Sequence, residues 1–238
     1  MLDAPAAFRV MTFNIHHGVG TDGVLDLGRI ASVIRDAGPD LVGLQEVDRH
    51  FGTRSARADQ ASWLGRATGM RSWFGPSISI GGSEYGNAAL TVPSVLSRDW
   101  AALPTSPGAE PRSVLRCRLA GGLQLWVTHL TNDDPVARVE QARAIVARLQ
   151  DRSGPTIVLG DLNATPDDPC LKEFGTVLVD PWTAHGEGEG ATFSTTHPRL
   201  RIDYVLTTPD IVASRIEVVE VGAASDHHAV VADLRVSP

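Results

Sequence analysis

The stretch Gly160-Asp161-Leu162-Asn163-Ala164-Thr165-Pro166 sets a carboxylate and an amide two residues apart, directly after the apolar run Thr156-Ile157-Val158-Leu159. Such a run closed by glycine reads as a buried strand passing into a turn. Side chains two apart at a strand end face the same way, so Asp161 and Asn163 can grip one small target. Aspartate and asparagine are also ordinary turn formers. The motif therefore gains its weight from company. Other strand-like runs end in matching polar groups: Asn14, Glu46, His129, Asp203 and the pair Asp226-His227. Carboxylates, amides and imidazoles collected from several strand ends suit metal-assisted hydrolysis of a phosphoester.

Each member also has a plainer reading. Asn14 alone, ahead of His16-His17-Gly18, is a turn residue. Glu46 follows Leu41-Val42-Gly43-Leu44-Gln45, and a carboxylate there is partly buried and requires a cation or donors. We read it as a metal ligand ahead of a structural ion pair. Oxygen donors from Asp, Glu and Asn suit Mg²⁺ or Mn²⁺ better than zinc. A zinc site built on the histidine pairs lacks both HExxH and a thiolate set. His129, ending Leu125-Trp126-Val127-Thr128, would on its own be a satisfied structural histidine. Asp203 sits inward in Arg201-Ile202-Asp203-Tyr204-Val205-Leu206, where an aspartate needs a partner. A histidine that it orients and keeps protonated is the natural one. Ser225-Asp226-His227-His228 can supply it, and strand alternation points only one of the two histidines into a site. Arg112, in Glu110-Pro111-Arg112-Ser113-Val114, offers a charge-assisted phosphate contact, with a surface arginine as the alternative.

These groups need a scaffold. Strand-like runs cover Phe8 to Phe13, Leu41 to Leu44, Ala88 to Val92, Val114 to Leu119, Leu123 to Thr128, Thr156 to Leu159, Ile202 to Thr207 and Ala229 to Leu234. Gly121-Gly122 marks a hairpin. Helical period predicts helices over Leu27 to Ala37, Ala58 to Thr68 and Pro135 to Leu149. Hairpins mixed with helical crossovers fit an α+β sandwich: two sheets face to face, helices outside, and a site along one edge.

With 238 residues, 42% of them apolar, the chain can bury a sizeable core. No linker, charge block or repeat divides it, so residues 1–238 read as one domain. A net charge of −7 weighs against a protein built to hold duplex nucleic acid. Cys117 and Cys170 have no metal spacing and read as reduced, buried thiols. Met1 to Pro5 lacks a signal-peptide pattern and no run reaches membrane-spanning length. A cytoplasmic monomer is the expectation.

In order along the chain, Thr-Phe-Asn14, Leu-Gln-Glu46-Val, Gly86-Asn87-Ala88, Thr-His129-Leu, Gly-Asp161-Leu-Asn163-Ala-Thr-Pro, Arg-Ile-Asp203-Tyr-Val and Ser-Asp226-His227-His resemble the endonuclease/exonuclease/phosphatase superfamily, whose members include deoxyribonuclease I. The resemblance implies a four-layer α/β/β/α sandwich of two mixed β-sheets with outer helices, cleaving phosphoesters with Mg²⁺ or Mn²⁺. It assigns Asn14, Glu46 and Asp226 to the metal. His227, oriented by Asp203, either deprotonates water or stabilises the phosphorus centre. Asp161 positions or deprotonates the water, Asn163 donates to a phosphoryl oxygen, and His129 contacts phosphate or assists the leaving oxygen. Asn87 and Arg112 become substrate contacts. Two departures stand out. His16 occupies the position where abasic-site endonucleases carry a metal-binding Asp, so the metal should rest more heavily on Glu46. The tract after Ala88 lacks the Ser-Arg-Tyr/Phe-Pro frequent in relatives.

Glycine-rich, partly acidic loops at Thr21 to Gly23, Gly81 to Glu84 and His185 to Gly190 should repel a polyanion. Arg49, Arg54, Arg57, Arg66 and Arg71 are read as a solvated helix face. A small phosphodiester, phosphomonoester or lipid headgroup is therefore preferred as substrate over long nucleic acid. A nuclease with the same machinery and a non-catalytic binding module are the alternatives. Idle buried carboxylates would cost stability, which counts against the second.

Overall fold

Strand runs that alternate or stay wholly apolar pair into two mixed sheets in the computed structural model, which describes residues 7–151 and 153–237. Met1 to Pro5, which carries no signal-peptide pattern, lies outside the described residues. The elements run β1 Ala7–Asn14, α1 Leu27–Ala37, β2 Leu41–Arg49, α2 Gln60–Thr68, β3 Arg71–Ile80, β4 Ser83–Thr91, β5 Val95–Ala102, β6 Ser113–Leu119 and β7 Gln124–His129. The second half continues α3 Pro135–Gln150, β8 Thr156–Asp161, α4 Pro169–Phe174, α5 Trp182–His185, β9 Asp203–Thr207, β10 Ile211–Val219 and β11 Ala229–Val236. One sheet has the order β10-β11-β1-β2-β4-β3 and the other β5-β6-β7-β8-β9.

Three apolar layers hold four structural ones. Val10, Leu41 and Ala89 of the first sheet meet Leu115, Val127 and Leu159 of the second between the sheets. Ile30, Ile34 and Leu64 seat α1 and α2 on the outer face of the first sheet. Ile145, Leu149 and Phe174 seat α3 and α4 against the second. This is the expected α/β/β/α sandwich. Gly43 lets the sheets close: a Cβ there would lie 2.8 Å from the Leu159 Cβ. Helix starts are capped by aspartates. Asp26 accepts from the Gly28 and Arg29 amides, and Asp134 from Val136 and Ala137 ahead of a helix with Pro135 in its first turn. Among the described residues no helix is long and apolar enough to cross a membrane.

Three strands escape the sequence pattern: β3, β5 and β10. All three are sheet edges. An edge strand buries little, and five consecutive residues of β5, Leu96 to Trp100, are exposed, so no apolar run marks it. Pro76 in β3 also reads as a breaker, yet an edge tolerates its missing N–H. The arginine stretch is not a helix face. Only Arg66 lies on α2, while Arg49 pairs with Glu84 and Arg54 donates to both oxygens of Asp48.

Candidate active site

Parallel pairing of β1 with β2 and of β7 with β8 sends four strand ends to one rim of the sandwich. The register sets His129 beside Asp161, and Asp161 beside Asp203 at the start of antiparallel β9. Asn14 is the last residue of β1. Glu46 reaches the rim differently. The β2–β4 register slips between Leu44 and Val47, and Glu46 takes a left-handed backbone with φ 58°. A bulge re-aims a side chain. Here it turns Glu46 toward Asn14. Across the first sheet, the Ser225 hydroxyl donates to the Asn14 carbonyl at 2.7 Å and accepts from the His227 amide at 3.3 Å. That clamp fixes the approach to β11.

Asp161 is the hub. Its Oδ2 lies 3.0 Å from Asn14 Nδ2, 3.4 Å from His129 Nε2 and 3.6 Å from His227 Nε2. Its Oδ1 accepts the Asn163 amide at 2.9 Å. Asn14 Nδ2 also donates to Glu46 Oε1 at 3.1 Å, so one amide links the two carboxylates. Burial, then the charge of Asp203, push Asp161 up to about 7 against the pull of His227 and Asn14.

His227 Nδ1 lies 2.9 Å from Asp203 Oδ2, the expected carboxylate–imidazole pair. Burial favours neutral His227, but Asp203 and then Asp161 outweigh it and raise the imidazole to about 10. His129 goes the other way: burial and the adjacent Arg112 guanidinium hold it well below 6.5. Arg112 donates to His129 Nδ1 at 3.2 Å, which leaves the proton of neutral His129 on Nε2, facing Asp161. Two histidines at one rim thus carry opposite charge states at neutral pH.

Asn163, also left-handed at φ 49°, sets its amide nitrogen 3.0 Å from His129 Nε2 and donates to the Leu130 carbonyl at 2.9 Å. Arg112 is buried and pairs with Glu110 at 2.8 Å, so its charge meets the site through His129. Asn87 is buried and donates to the Ser113 carbonyl at the β4–β6 contact, with its Oδ1 unpartnered. Asp226 is partly exposed, 4.0 Å from His16 Nδ1. His228 faces away, accepting from the Val221 amide at 3.4 Å. Both cysteines are free and buried. Two participants had no sequence reading. Ser225 was visible beside Asp226 with no assigned role. Phe193 packs its ring 4.8 Å from that of His227, and no motif in the sequence marks it.

The donors at Glu46 fit a divalent cation. Burial pushes its carboxyl up, yet His17, His129, Asn14 and His16 hold it well below the usual carboxylate range, so it is an anion at neutral pH. Its side chain is 22% exposed and can admit an ion. Two buried polar atoms at the rim, His17 Nδ1 and Asp203 Oδ1, have no hydrogen-bond partner. The Asn14 oxygen accepts the His16 amide at 3.0 Å, so its amide nitrogen faces the carboxylates.

The family model described as Endonuclease/Exonuclease/phosphatase family matches residues 11–227. An endonuclease/exonuclease/phosphatase from Beutenbergia cavernae DSM 12333 is similar at 30% identity and TM-score 0.83, over 97% of this chain and 72% of that one. A protein of that description from Bacteroides vulgatus is similar at 21% identity and TM-score 0.80, over 98% and 100% of the two chains. A mannosyl-6-phosphatase of Bacteroides thetaiotaomicron VPI-5482 is similar at 18% identity and TM-score 0.80, over 95% and 98%. No match was found among curated proteins.

Proposed function

The chain belongs to the endonuclease/exonuclease/phosphatase family, and on that premise we propose that it is a divalent-metal-dependent hydrolase of a small phosphodiester or phosphomonoester. The observation that carries this reading is the convergence of Asn14, His129 and His227 on Asp161 Oδ2, with Glu46 joined to it through Asn14.

Asp161, raised to about 7, is poised to take a proton from water as the new O–P bond forms in line with the breaking one. His227, charged and held by Asp203, offsets the negative charge that gathers on the phosphoryl oxygens. Neutral His129 offers its Nε2–H to a phosphoryl or leaving oxygen, and Arg112 holds that tautomer as a positioning residue. Asn163 donates to the Leu130 carbonyl and lines the rim beside His129. Glu46, its Oε1 held by the Asn14 amide, would hold Mg²⁺ or Mn²⁺, and that ion would supply Lewis-acid charge to the phosphoryl group. The net charge of −7 and the exposed Glu187 and Glu189 support a small substrate over a polyanion. A mannosyl-6-phosphatase of the same fold is in keeping with that size.

The test is a panel of bis-p-nitrophenyl phosphate, p-nitrophenyl phosphate, sugar phosphates, phospholipid headgroups and DNA, each with Mg²⁺, Mn²⁺ or EDTA. Metal-stimulated turnover of a small ester, lowered about 10²-fold or more by Glu46→Gln, is expected. Turnover of DNA alone would replace the substrate reading, and no turnover of any ester would end it.

A further inference from the structure

His16 and His17 open the turn after β1, directly opposite the Glu46 bulge. One donor atom from each of the three residues lies within 4.8 Å of the others. The two rings stand edge to face, 4.5 Å between centroids. His17 Nδ1 is 3.9 Å from Glu46 Oε2, too far for a hydrogen bond, and it is buried without a partner. A gap of that size takes an ion about 2 Å from each atom. His16 Nδ1 lies 3.0 Å from the Val19 carbonyl. A carbonyl only accepts, so that nitrogen carries the proton and Nε2 keeps its lone pair. Metal-binding histidines are held in this way.

The backbone adds an independent sign. His16, His17 and Glu46 all have left-handed conformations, at φ 44°, 44° and 58°. Residues with side chains seldom adopt that region, and such outliers gather where a side chain must be aimed. The Gln60 side chain donates to the His17 carbonyl and holds the turn in place. Glu46 meanwhile divides its oxygens, Oε1 toward Asn14 and Oε2 toward His17.

We propose that His16, His17 and Glu46 Oε2 seat the divalent ion of this hydrolase, giving a two-nitrogen, one-carboxylate set that selects Mn²⁺ over Mg²⁺. The inference rests on the hydrolase reading for the ion's role but not for its binding. Mg²⁺ keeps oxygen ligands and water almost exclusively, whereas Mn²⁺, though also oxygen-preferring, is a transition ion and accepts imidazole nitrogen more readily than Mg²⁺ does. The histidine in place of an acidic residue two positions after Asn14 then changes the metal rather than removing a ligand.

Pulsed electron paramagnetic resonance of the Mn²⁺-loaded wild-type protein reads the shell without any mutation. Couplings from imidazole nitrogens are expected, and a shell of oxygens alone would overturn the proposal. Calorimetric titration with MnCl₂ and MgCl₂ should show Mn²⁺ bound more tightly. His16→Asn and His17→Asn keep a residue that tolerates the left-handed backbone. Each should shrink the Mn²⁺ preference by about tenfold or more, since even outer-shell losses cost that much. An unchanged preference in both folded variants would overturn it. Nitrogen couplings without ester hydrolysis would leave this site standing and remove the hydrolase reading. Hydrolysis with an all-oxygen shell would do the reverse.

Discussion

Replacing Asp203 by asparagine removes the charge facing His227 Nδ1 at 2.9 Å while keeping a side chain of the same shape. Unit charges about 4 Å apart at an effective dielectric near 20 attract by about 4 kcal/mol. At about 1.36 kcal/mol per pH unit that amounts to about three pH units. The rise of His227 from 6.5 to about 10 is of this size. Asp203 also raises Asp161, next after burial. In the wild type, kcat/KM should rise as Asp161 loses its proton near 7 and fall as His227 loses its own near 10. Asp203→Asn should move both limbs to lower pH, the alkaline one toward 6.5. At pH 8 the variant would then carry a neutral His227 and lose about 10²-fold or more in turnover. The assay is a pH–rate profile at saturating metal with the best ester of the panel. An alkaline limb that stays in place in the variant would show that His227 is not the group whose proton limits the rate.

Ser225→Ala removes the donor to the Asn14 carbonyl and the acceptor of the His227 amide, and should cost about 1–3 kcal/mol in urea unfolding; no loss would mean the clamp is idle. Gly43→Ala drives a methyl to 2.8 Å from the Leu159 Cβ and should cost about 1–3 kcal/mol by overpacking. A variant as stable as wild type would show that the sheets can part there. For the metal-free protein the linkage has a definite sign. His227 is raised from 6.5 to about 10, so its stabilisation is complete below 6.5 and lost as pH rises to about 10. Stability should fall between pH 7 and 10 by up to about 4 kcal/mol, and Asp203→Asn should flatten that fall. A rise over that window in the wild type would refute the assignment.

The sequence told most where burial is two-sided. Every central strand showed as an apolar run, and α1 matched its expected bounds because periodic Ile30, Ala31 and Ile34 stop at Gly38, left-handed at φ 63°. The edges β3, β5 and β10 left no such trace, while the edge strand β9, buried along its whole length, did. The strand ends also pointed to Asn14, Glu46, His129, Asp161, Asp203 and His227, which the structure brings to one rim. What stayed hidden is three-dimensional. Nothing in Glu110-Pro111-Arg112 says that the guanidinium is buried on His129. Nothing in Leu44-Gln45-Glu46 says that the strand bulges there and divides the two carboxylate oxygens.

Among the described residues, seven non-glycine positions are left-handed, and His16, His17, Glu46 and Asn163 are four of them. Each such residue costs of order 1–3 kcal/mol, and all four gather at one rim. Asp203, with one unpartnered oxygen, is buried there too. Folding alone would not select such a set, because relaxed turns and apolar strand ends were available to the same scaffold. The three apolar layers offset it. They hold the strands rigid up to their last residues, so the strain and unpaired charge fall on the side chains that would meet the ion and the phosphate. Preorganisation of this kind would let the site stabilise developing charge without first rearranging.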